Sequence, residues 1–293
     1  MAYRTDLALE ALETHAGGAP AGVKQQEETR EGFAVTGVNI VTDAGADAIG
    51  KPRGRYRTLD LGALVRREAD AFPRAVEALA GLLTELLSPL DARGPVLVVG
   101  LGNRDITPDA VGPLTVGHVV ATRHLISGAP DYFSEWRPVA ALAPGVLGQT
   151  GVEAAEFVRG ILDTVRPAAV IAVDALAAGR LSRLCRTIQI TDAGIVPGSG
   201  VGNARAAFNK SELGVPVVAV GVPTVVDGGT LAHEINAQSG AQCEALDDLA
   251  APFLVTSRDI DREVGDVSRV IGYAIDRALH PDLSVADIDL CLS

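Results

Sequence analysis

The stretch VLVVGLGNRDITPDAVGP, residues 96–113, decides the fold. It opens with four consecutive β-preferring apolar residues, 96–99, as expected of a parallel strand that is covered on both faces. Gly100 and Gly102 then supply turn geometry at the carboxyl end of that strand. Because open α/β sheets bind their ligands at this end, the turn marks the place to look for chemistry.

A helix start that carries a carboxylate follows the turn. We predict Thr107 as its N-cap and Pro108 at the first helical position, with the helix continuing to His124. Asp109 then lies in the first turn, at the mouth of the crevice. An Asp in a first helical turn is also a common partner of the helix dipole, so on its own this residue has two interpretations.

A second apolar run ends in a carboxylate. Residues 168–174 read as a buried strand whose last residue is Asp174. Since parallel strands present their carboxyl ends at one edge of a sheet, we expect Asp109 and Asp174 in the same crevice. Paired carboxylates perform acid and base chemistry on a peptide or glycoside, one ionised to activate water and one holding a proton.

Strands alternate with helical patterns along the rest of the chain. We predict strands over 33–42, 139–142, 188–191 and 215–222 and helices over 63–87, 153–165 and 257–279, with a turn or flap over 43–56. The first 32 residues are polar and read as peripheral. This alternation predicts an α/β fold, a three-layer sandwich with a mainly parallel sheet and helices on both faces.

Composition excludes several classes of protein. The 293 residues are 47% hydrophobic with a mean hydropathy of +0.24, which supports a large core. The formal net charge is −12 without a Lys/Arg-rich block, which argues against a nucleic-acid surface. Cys185, Cys243 and Cys291 are isolated, so neither a disulfide framework nor a structural zinc site is indicated. With no signal segment or 18-residue apolar run, we expect a cytoplasmic protein that uses no membrane.

Three other enzyme classes fit the motifs poorly. The third glycine of a dinucleotide-binding fingerprint is replaced by Asp105, and a nucleophile elbow around Ser199 would need glycine where Pro197 stands. The histidines form no metal-binding motif. We interpret the Gly-rich run 194–203 as a flexible loop that faces the substrate.

Several long motifs resemble one family. They are RTDLALEA near the start, IGKPRGRYRTLDL at 49–61, GLGNRDITPDAVGP at 100–113, PGVLGQTGVE at 144–153, VDALAAGR at 173–180 and TIQITDAGIVPGSGVGN at 187–203. With them the chain resembles the germination proteases of spore-forming bacteria, which degrade small acid-soluble spore proteins. The resemblance covers nearly the whole chain.

The resemblance implies an atypical aspartic-type endopeptidase on a fold similar to hydrogenase maturation proteases. Its catalytic carboxylates would be Asp109 and Asp174, acting without a cofactor or metal. It further implies a homotetramer made as a zymogen and located in the forespore or spore core. Only residues 1–5 precede the segment that resembles the mature start, so either these residues are a very short residual propeptide or control lies elsewhere. We expect a single peptidase domain over 6–293.

We expect the peptide groove to be shaped by residues near the two carboxylates. The candidates are Gly100, Asn103, Gln149, Thr150, Gly198 and Ser199. Two alternatives stay open. Asp109 and Asp174 could instead be ligands in a metal-dependent peptidase of the maturation-protease type, since carboxylate oxygens bind metals. The same crevice could also belong to a peptide-binding protein without catalytic activity.

Overall fold

The computed structural model describes residues 4–15, 17–239 and 253–293. Within them, one sheet has the strand order β1-β2-β3-β7-β8-β6-β4-β5, and β9 pairs with β8. The strands are β1 Val23–Arg30, β2 Phe33–Ile40, β3 Gly54–Asp60, β4 Val96–Gly100, β5 Val139–Leu142, β6 Ala169–Ala178, β7 Thr187–Thr191, β8 Val217–Asp227 and β9 Leu254–Val255.

The sheet has a parallel half and an antiparallel half. Strands β8, β6, β4 and β5 are mutually parallel, and they include both strands that deliver the candidate carboxylates. Strands β7, β3, β2 and β1 extend the sheet by antiparallel pairing. The predicted α/β class is confirmed.

Helices lie on both faces of the sheet. They are α1 Ala8–Glu13, α2 Asp43–Ile49, α3 Gly62–Val65, α4 Ala71–Leu87, α5 Val111–Val116, α6 Arg123–Gly128, α7 Pro130–Phe133, α8 Leu147–Thr150, α9 Ala154–Val165, α10 Lys210–Leu213, α11 Gly228–Ser239, α12 Ile260–Leu279 and α13 Val285–Leu292. Single 3₁₀ turns are Thr107–Asp109, Leu181–Arg183 and Ser199–Val201.

Alternation along the buried strands separates two cores. Val98 of β4 faces the core that α4, α5 and α12 cover, whereas its neighbour Val99 faces the core beneath α9. A third cluster joins α1 to the antiparallel strands. Because successive strand residues point to opposite faces, an uninterrupted apolar run supplies both cores at once. The three-layer architecture predicted from the sequence is confirmed.

Strand β8 corrects one prediction. We expected the strand to end before Pro223, but it continues to Asp227. Proline lacks the N–H that a ladder needs, and the pairing with β6 shifts register between Leu176 and Ala177, directly opposite it. The Pro223 carbonyl oxygen is still used, because it accepts a hydrogen bond from the Cys185 amide at 2.7 Å.

The N-terminal region holds more regular structure than its polar composition predicts. Strand β1 lies at the edge of the sheet, where polar side chains can face water. The expected flap over 43–56 begins with α2, whose first turn is capped by the Thr42 hydroxyl accepting from the Gly45 amide at 3.1 Å. The expected helix over 63–87 is divided into α3 and α4.

Two of the three cysteines lie in the described residues, and both are free thiols. Cys185 is buried and Cys291 is exposed, whereas Cys243 lies outside the described residues.

None of the described helices is long and apolar enough to cross a membrane.

Candidate active site

Two glycines bring the start of α5 directly onto the strand ends. A Cβ atom on Gly112 would lie 2.3 Å from the Leu101 carbonyl oxygen and 2.4 Å from that of Val173. A Cβ atom on Gly100 would lie 2.2 Å from the Gly112 carbonyl oxygen. Backbone therefore packs on backbone where β4 and β6 lead into the site, and neither glycine position has room for a side chain.

The turn after β4 fixes the carboxylate of Asp109. The Leu101 amide donates to the Val173 carbonyl oxygen at 2.8 Å and extends the β4–β6 pairing by one residue. Gly102 then adopts a φ of +109°, and a Cβ there would lie 2.1 Å from the Asp109 carbonyl oxygen. The Asn103 amide donates to Oδ2 of Asp109 at 2.7 Å. The carboxylate is thus held by the backbone of the turn that precedes it.

The predicted helix start was wrong in its details. Thr107 does not cap a helix with its side chain; it opens the 3₁₀ turn that contains Asp109. Helix α5 begins only at Val111 and ends at Val116, well short of His124. The tighter turn brings the Pro108 carbonyl oxygen within 2.6 Å of the Thr224 hydroxyl, which donates to it from β8.

Asp174 lies inside a strand rather than at its end. Strand β6 continues to Ala178, but its pairing with β4 stops at Gly100 and Val173. From Asp174 onward β4 no longer pairs with this strand, β8 continues beside it, and the N-terminal segment bonds to it at Ala177. The Asp174 side chain is buried, and its Oδ1 accepts a hydrogen bond from the Ala175 amide at 2.9 Å.

Burial raises the pKa of both carboxyl groups, and the charge of Asp109 adds to the shift of Asp174. Burial raises the pKa of Asp109, and the hydrogen bond from the Asn103 amide partly offsets this. Burial, followed by the negative charge of Asp109, raises the pKa of Asp174 well above its ordinary value, with a smaller contribution from the charge of Asp6. Two neighbouring, poorly solvated carboxyl groups resist being ionised together.

Sequence reasoning missed Asp6, which joins the N-terminal segment to this region. Its amide donates to the Ala177 carbonyl oxygen at 2.9 Å, and its Oδ2 accepts from the Ala177 amide at 2.8 Å. Its Oδ1 accepts from the Ser199 hydroxyl at 2.6 Å. No local pattern connects residues so distant in sequence, although the motif that contains Asp6 belongs to the family resemblance.

Gln149 and Asn103, two of the predicted groove residues, lie together. The Gln149 side-chain nitrogen donates to Oδ1 of Asn103 at 2.9 Å and to Oδ2 of Asp105 at 3.1 Å. This connects the loop around α8 to the turn that holds Asp109. Thr150 instead bonds within its own loop, to the Val146 carbonyl oxygen at 3.2 Å.

The other predicted groove residues occupy two further places. Ser199 is bonded to Asp6 on the β6 side of the crevice, and Gly198 has a φ of +72° that shapes the same loop. Gly100 is buried beneath α5, so it shapes the site through backbone packing. A role for these positions in substrate binding stays a prediction.

Nearby acidic residues have other partners. Asp192 pairs with Arg55 at 2.7 Å, and Asp227 accepts from the Thr230 amide at 3.1 Å and pairs with Arg4 at 3.6 Å. Across residues 4–15, 17–239 and 253–293, no group of three or more His, Cys, Asp or Glu side chains is arranged to hold a metal ion.

Fold and site together define an α/β protein with two neighbouring carboxyl groups where the parallel strands β4 and β6 part. A family model described as germination protease matches residues 9–238. The chain belongs to the germination protease family and is therefore a peptidase.

Relatives match most or all of the chain. A germination protease from Caldanaerobacter subterraneus subsp. tengcongensis is 41% identical over 320 residues, covering 100% of this chain and 98% of the relative. One from Clostridium perfringens (strain ATCC 13124) is 38% identical and covers 99% of each chain. One from Bacillus velezensis is 43% identical over 242 residues, covering 79% of this chain and 65% of the relative.

Among solved structures, the [NiFe] hydrogenase maturation protease HycI from Thermococcus kodakarensis KOD1 matches with a TM-score of 0.37 and 16% identity. The match covers 67% of this chain and 99% of that one.

Proposed function

We propose that this peptidase is an aspartic-type endopeptidase that cleaves small acid-soluble spore proteins during germination, with Asp109 and Asp174 as its catalytic pair. The observation that carries the proposal is that the turn holding Asp109 follows directly from the β4–β6 pairing that ends beside Asp174, where burial and the charge of Asp109 favour a proton on Asp174. Paired carboxyl groups that share one proton hydrolyse peptide bonds without a covalent intermediate.

The surroundings of the two groups suggest different roles. Asp174 is the more deeply buried and holds the shared proton. Asp109 is half-buried and accepts an amide hydrogen bond that favours its ionised form. In this arrangement Asp109 is the base and Asp174 the acid. Because the groups titrate as a unit, the active species is the pair with one proton.

The reaction then balances within the pair. Asp109 takes a proton from water as the water oxygen bonds to the peptide carbonyl carbon, while Asp174 gives its proton to the carbonyl oxygen. The gem-diol collapses when Asp109 passes its proton to the amide nitrogen and the C–N bond breaks. Asp174 regains a proton from a gem-diol hydroxyl, which becomes the new carboxyl group. Each transfer is general acid–base catalysis by a positioned side chain.

A cleavage assay on a purified small acid-soluble spore protein tests this proposal. We expect discrete fragments from the unaltered chain and a fall in kcat of about 10³-fold or more for Asp109→Asn and for Asp174→Asn. Asp163→Asn is the matched control, because Asp163 is exposed on α9, away from the pair. Circular dichroism on each variant separates lost chemistry from lost folding.

Three outcomes of this assay would count against the proposal. Normal cleavage by either pair variant would remove that carboxyl group from the mechanism. Loss of cleavage in EDTA, restored by a divalent metal, would favour the metal-dependent alternative. Saturable binding of the spore protein with no fragments, in chain whose N-terminus has been processed, would favour a peptide-binding protein.

The resemblance also supports further proposals about the protein's life cycle. Residues 1–5 would be a short propeptide ahead of one peptidase domain over 6–293, and four copies would assemble in the cytoplasm of the forespore. N-terminal sequencing of the active enzyme tests the first proposal. Light scattering tests the second, and a fluorescent fusion in sporulating cells tests the third.

A further inference from the structure

Asn103 is bonded through its amide, its carbonyl and its side-chain oxygen, all in the turn that leads from β4 to Asp109. Its amide donates to Oδ2 of Asp109 at 2.7 Å. Its carbonyl oxygen accepts from the Ile106 amide at 3.2 Å. Its side-chain Oδ1 accepts from the Asp105 amide at 3.0 Å, which closes an Asx turn. One residue therefore connects the end of the strand to the carboxylate.

A second donor reaches the same side-chain oxygen from a distant part of the chain. Nε2 of Gln149, on α8, donates to Oδ1 of Asn103 at 2.9 Å and to Oδ2 of Asp105 at 3.1 Å. With a main-chain donor and a side-chain donor on one oxygen, the Asn103 side chain cannot rotate without breaking both bonds. The loop around α8 thus supports the conformation of the turn.

We propose that Asn103 is a positioning residue for the catalytic base: its side chain fixes the direction of its own amide, and that amide holds the Asp109 carboxylate in place. The inference rests on the proposed function and deepens it. In this role Asn103 acts through Asp109 and contacts neither the attacking water nor the peptide. The role does not depend on the predicted place of Asn103 in the peptide groove.

The bond from the Asn103 amide also affects how readily Asp109 ionises. An N–H that donates to a carboxylate favours the ionised form, and this bond lowers the pKa of Asp109 against the effect of burial. Among the described residues, no charged side chain of α5, α12 or β8 adds to the shift of Asp109, and Asp174 on β6 is its titratable neighbour. If the amide moves away, the base becomes harder to ionise, so activity is lost first at low pH.

The pH profile of kcat/KM tests this role with Asn103→Ala, which removes Oδ1 and keeps the amide. We expect cleavage of the spore protein to fall about tenfold on the acidic limb and less than about threefold on the plateau, as for partial loss of a hydrogen bond to a charged group. The acidic limb therefore moves to higher pH. Asn103→Ser should restore part of the loss, because a hydroxyl can accept from the Asp105 amide in a similar turn. Gln149→Ala should move the limb in the same direction by less.

The matched control is Asp91→Ala. Oδ1 of Asp91 accepts from the Arg93 amide at 3.0 Å in a turn of the same kind, but this turn lies before β4, at the other end of the strand. Its loss should leave the acidic limb where it is. A uniform fall at all pH values for Asn103→Ala, with the limb unmoved, would show a merely structural role and overturn the proposal. An unchanged profile would overturn it too.

Direct titration of Asp109 separates this inference from the proposed catalysis. The carbon-13 NMR signal of its carboxyl group, assigned with Asp109→Asn, reports ionisation without turnover. A signal that titrates at higher pH in Asn103→Ala, together with undiminished cleavage by Asp109→Asn, would keep the hold on the carboxylate and reject the proposed chemistry. Lost cleavage in Asp109→Asn, with the same Asp109 titration in Asn103→Ala and the unaltered chain, would reject the role of Asn103 alone.

Discussion

The Thr224 hydroxyl donates a hydrogen bond to the Pro108 carbonyl oxygen at 2.6 Å, joining strand β8 to the turn that carries Asp109. Thr224 is fully buried one residue after Pro223, on the strand next to the one that holds Asp174. Strand β8 supplies neither member of the proposed pair, yet it fixes the turn from one side while the Asn103 amide fixes the carboxylate from the other.

Thr224→Val should loosen that turn. The substitution keeps the shape but removes the donor, leaving a buried carbonyl oxygen with one partner fewer. We expect a loss of about 1–2 kcal/mol in the free energy of unfolding and a fall in kcat of about tenfold, with KM little changed. Urea unfolding and steady-state kinetics measure both.

Thr115→Val is the control for that experiment. The Thr115 hydroxyl is buried on α5 without a hydrogen-bond partner in the part of the chain that the structure describes. Its removal should leave stability unchanged or raised, and activity intact. Equal losses in the two variants would contradict the role given to Thr224.

Gly112→Ala should disrupt the packing of α5 on the strand ends. The added methyl group would meet the backbone of Leu101 and Val173, neither of which can move without displacing β4 or β6. We expect a loss of about 2–4 kcal/mol in the free energy of unfolding. Gly265→Ala is the matched control, because a Cβ there meets nothing within 4 Å on helix α12. It should stabilise by about 0.5–1 kcal/mol.

Gln149→Ala should weaken the contact between the α8 loop and the Asn103 turn. The substitution removes the hydrogen bonds that the Gln149 side chain donates to Asn103 and Asp105. Because both bonds lie near the surface, the free energy of unfolding should change by less than about 0.5 kcal/mol. If the loop helps form the peptide groove, KM should rise or kcat fall in cleavage of the spore protein. Unchanged kinetics would exclude Gln149 from the site.

The parts of the fold that local patterns determine could be predicted from the sequence. The run 96–99 and the strand through Asp174 are apolar enough to be buried on both faces, and the helices between strands favour the parallel pairing that the structure shows. That was sufficient to expect both carboxyl groups in one crevice. Strand β1 was not predicted. It lies at the edge of the sheet and is mostly polar, so it has only a weak hydrophobic pattern.

Contacts between distant segments could not be predicted in this way. Asp6 reaches Ala177 and Lys51 reaches Thr5 through tertiary packing of the N-terminal segment, which has no periodic signature. A proline led to the prediction of a strand end that the structure does not have. Pro223 reads as the end of a strand, yet a register shift in the neighbouring strand allows β8 to pass through it and carry Thr224 to the turn.

Asp174→Asn should make the protein more stable while abolishing cleavage. The pKa of Asp174 in the folded protein is raised well above its ordinary value of 3.8, chiefly by burial. The stabilising contribution of Asp174 is therefore fully present below pH 3.8, its ordinary pKa, and is lost as the pH rises through the folded-state pKa. An Asn side chain keeps the acceptor for the Ala175 amide and does not titrate. We expect the variant to gain about 1–2 kcal/mol at pH 7 and nothing near pH 4.

Thermal unfolding across that pH range measures the effect of Asp174→Asn. A variant that is less stable than the unaltered chain at pH 7 would mean that the buried carboxylate is stabilised by the fold. The proposed proton on Asp174 would then be untenable.

Asp276 offers a second test of how burial shifts a carboxyl pKa, at a residue that has no proposed role in catalysis. It is fully buried on α12, and both of its oxygens accept from the Val120 amide, at 3.0 and 3.2 Å. Burial raises its pKa to about 8, against a smaller opposing effect of that hydrogen bond. The stabilising contribution of Asp276 is thus full below about pH 4 and declines as the pH rises to about 8.

Asp276→Asn should remove this dependence, because the amide keeps an acceptor for Val120 and carries no charge. We expect the difference in unfolding free energy between the variant and the unaltered chain to grow with pH, reaching about 4–6 kcal/mol in favour of the variant at pH 8. Asp276→Ala leaves the Val120 amide without its acceptor and should destabilise at low pH, by about 1–3 kcal/mol. Parallel stability curves for Asp276→Asn and the unaltered chain would show that the carboxyl group does not titrate in this range, and that its hydrogen bond from Val120 outweighs its burial.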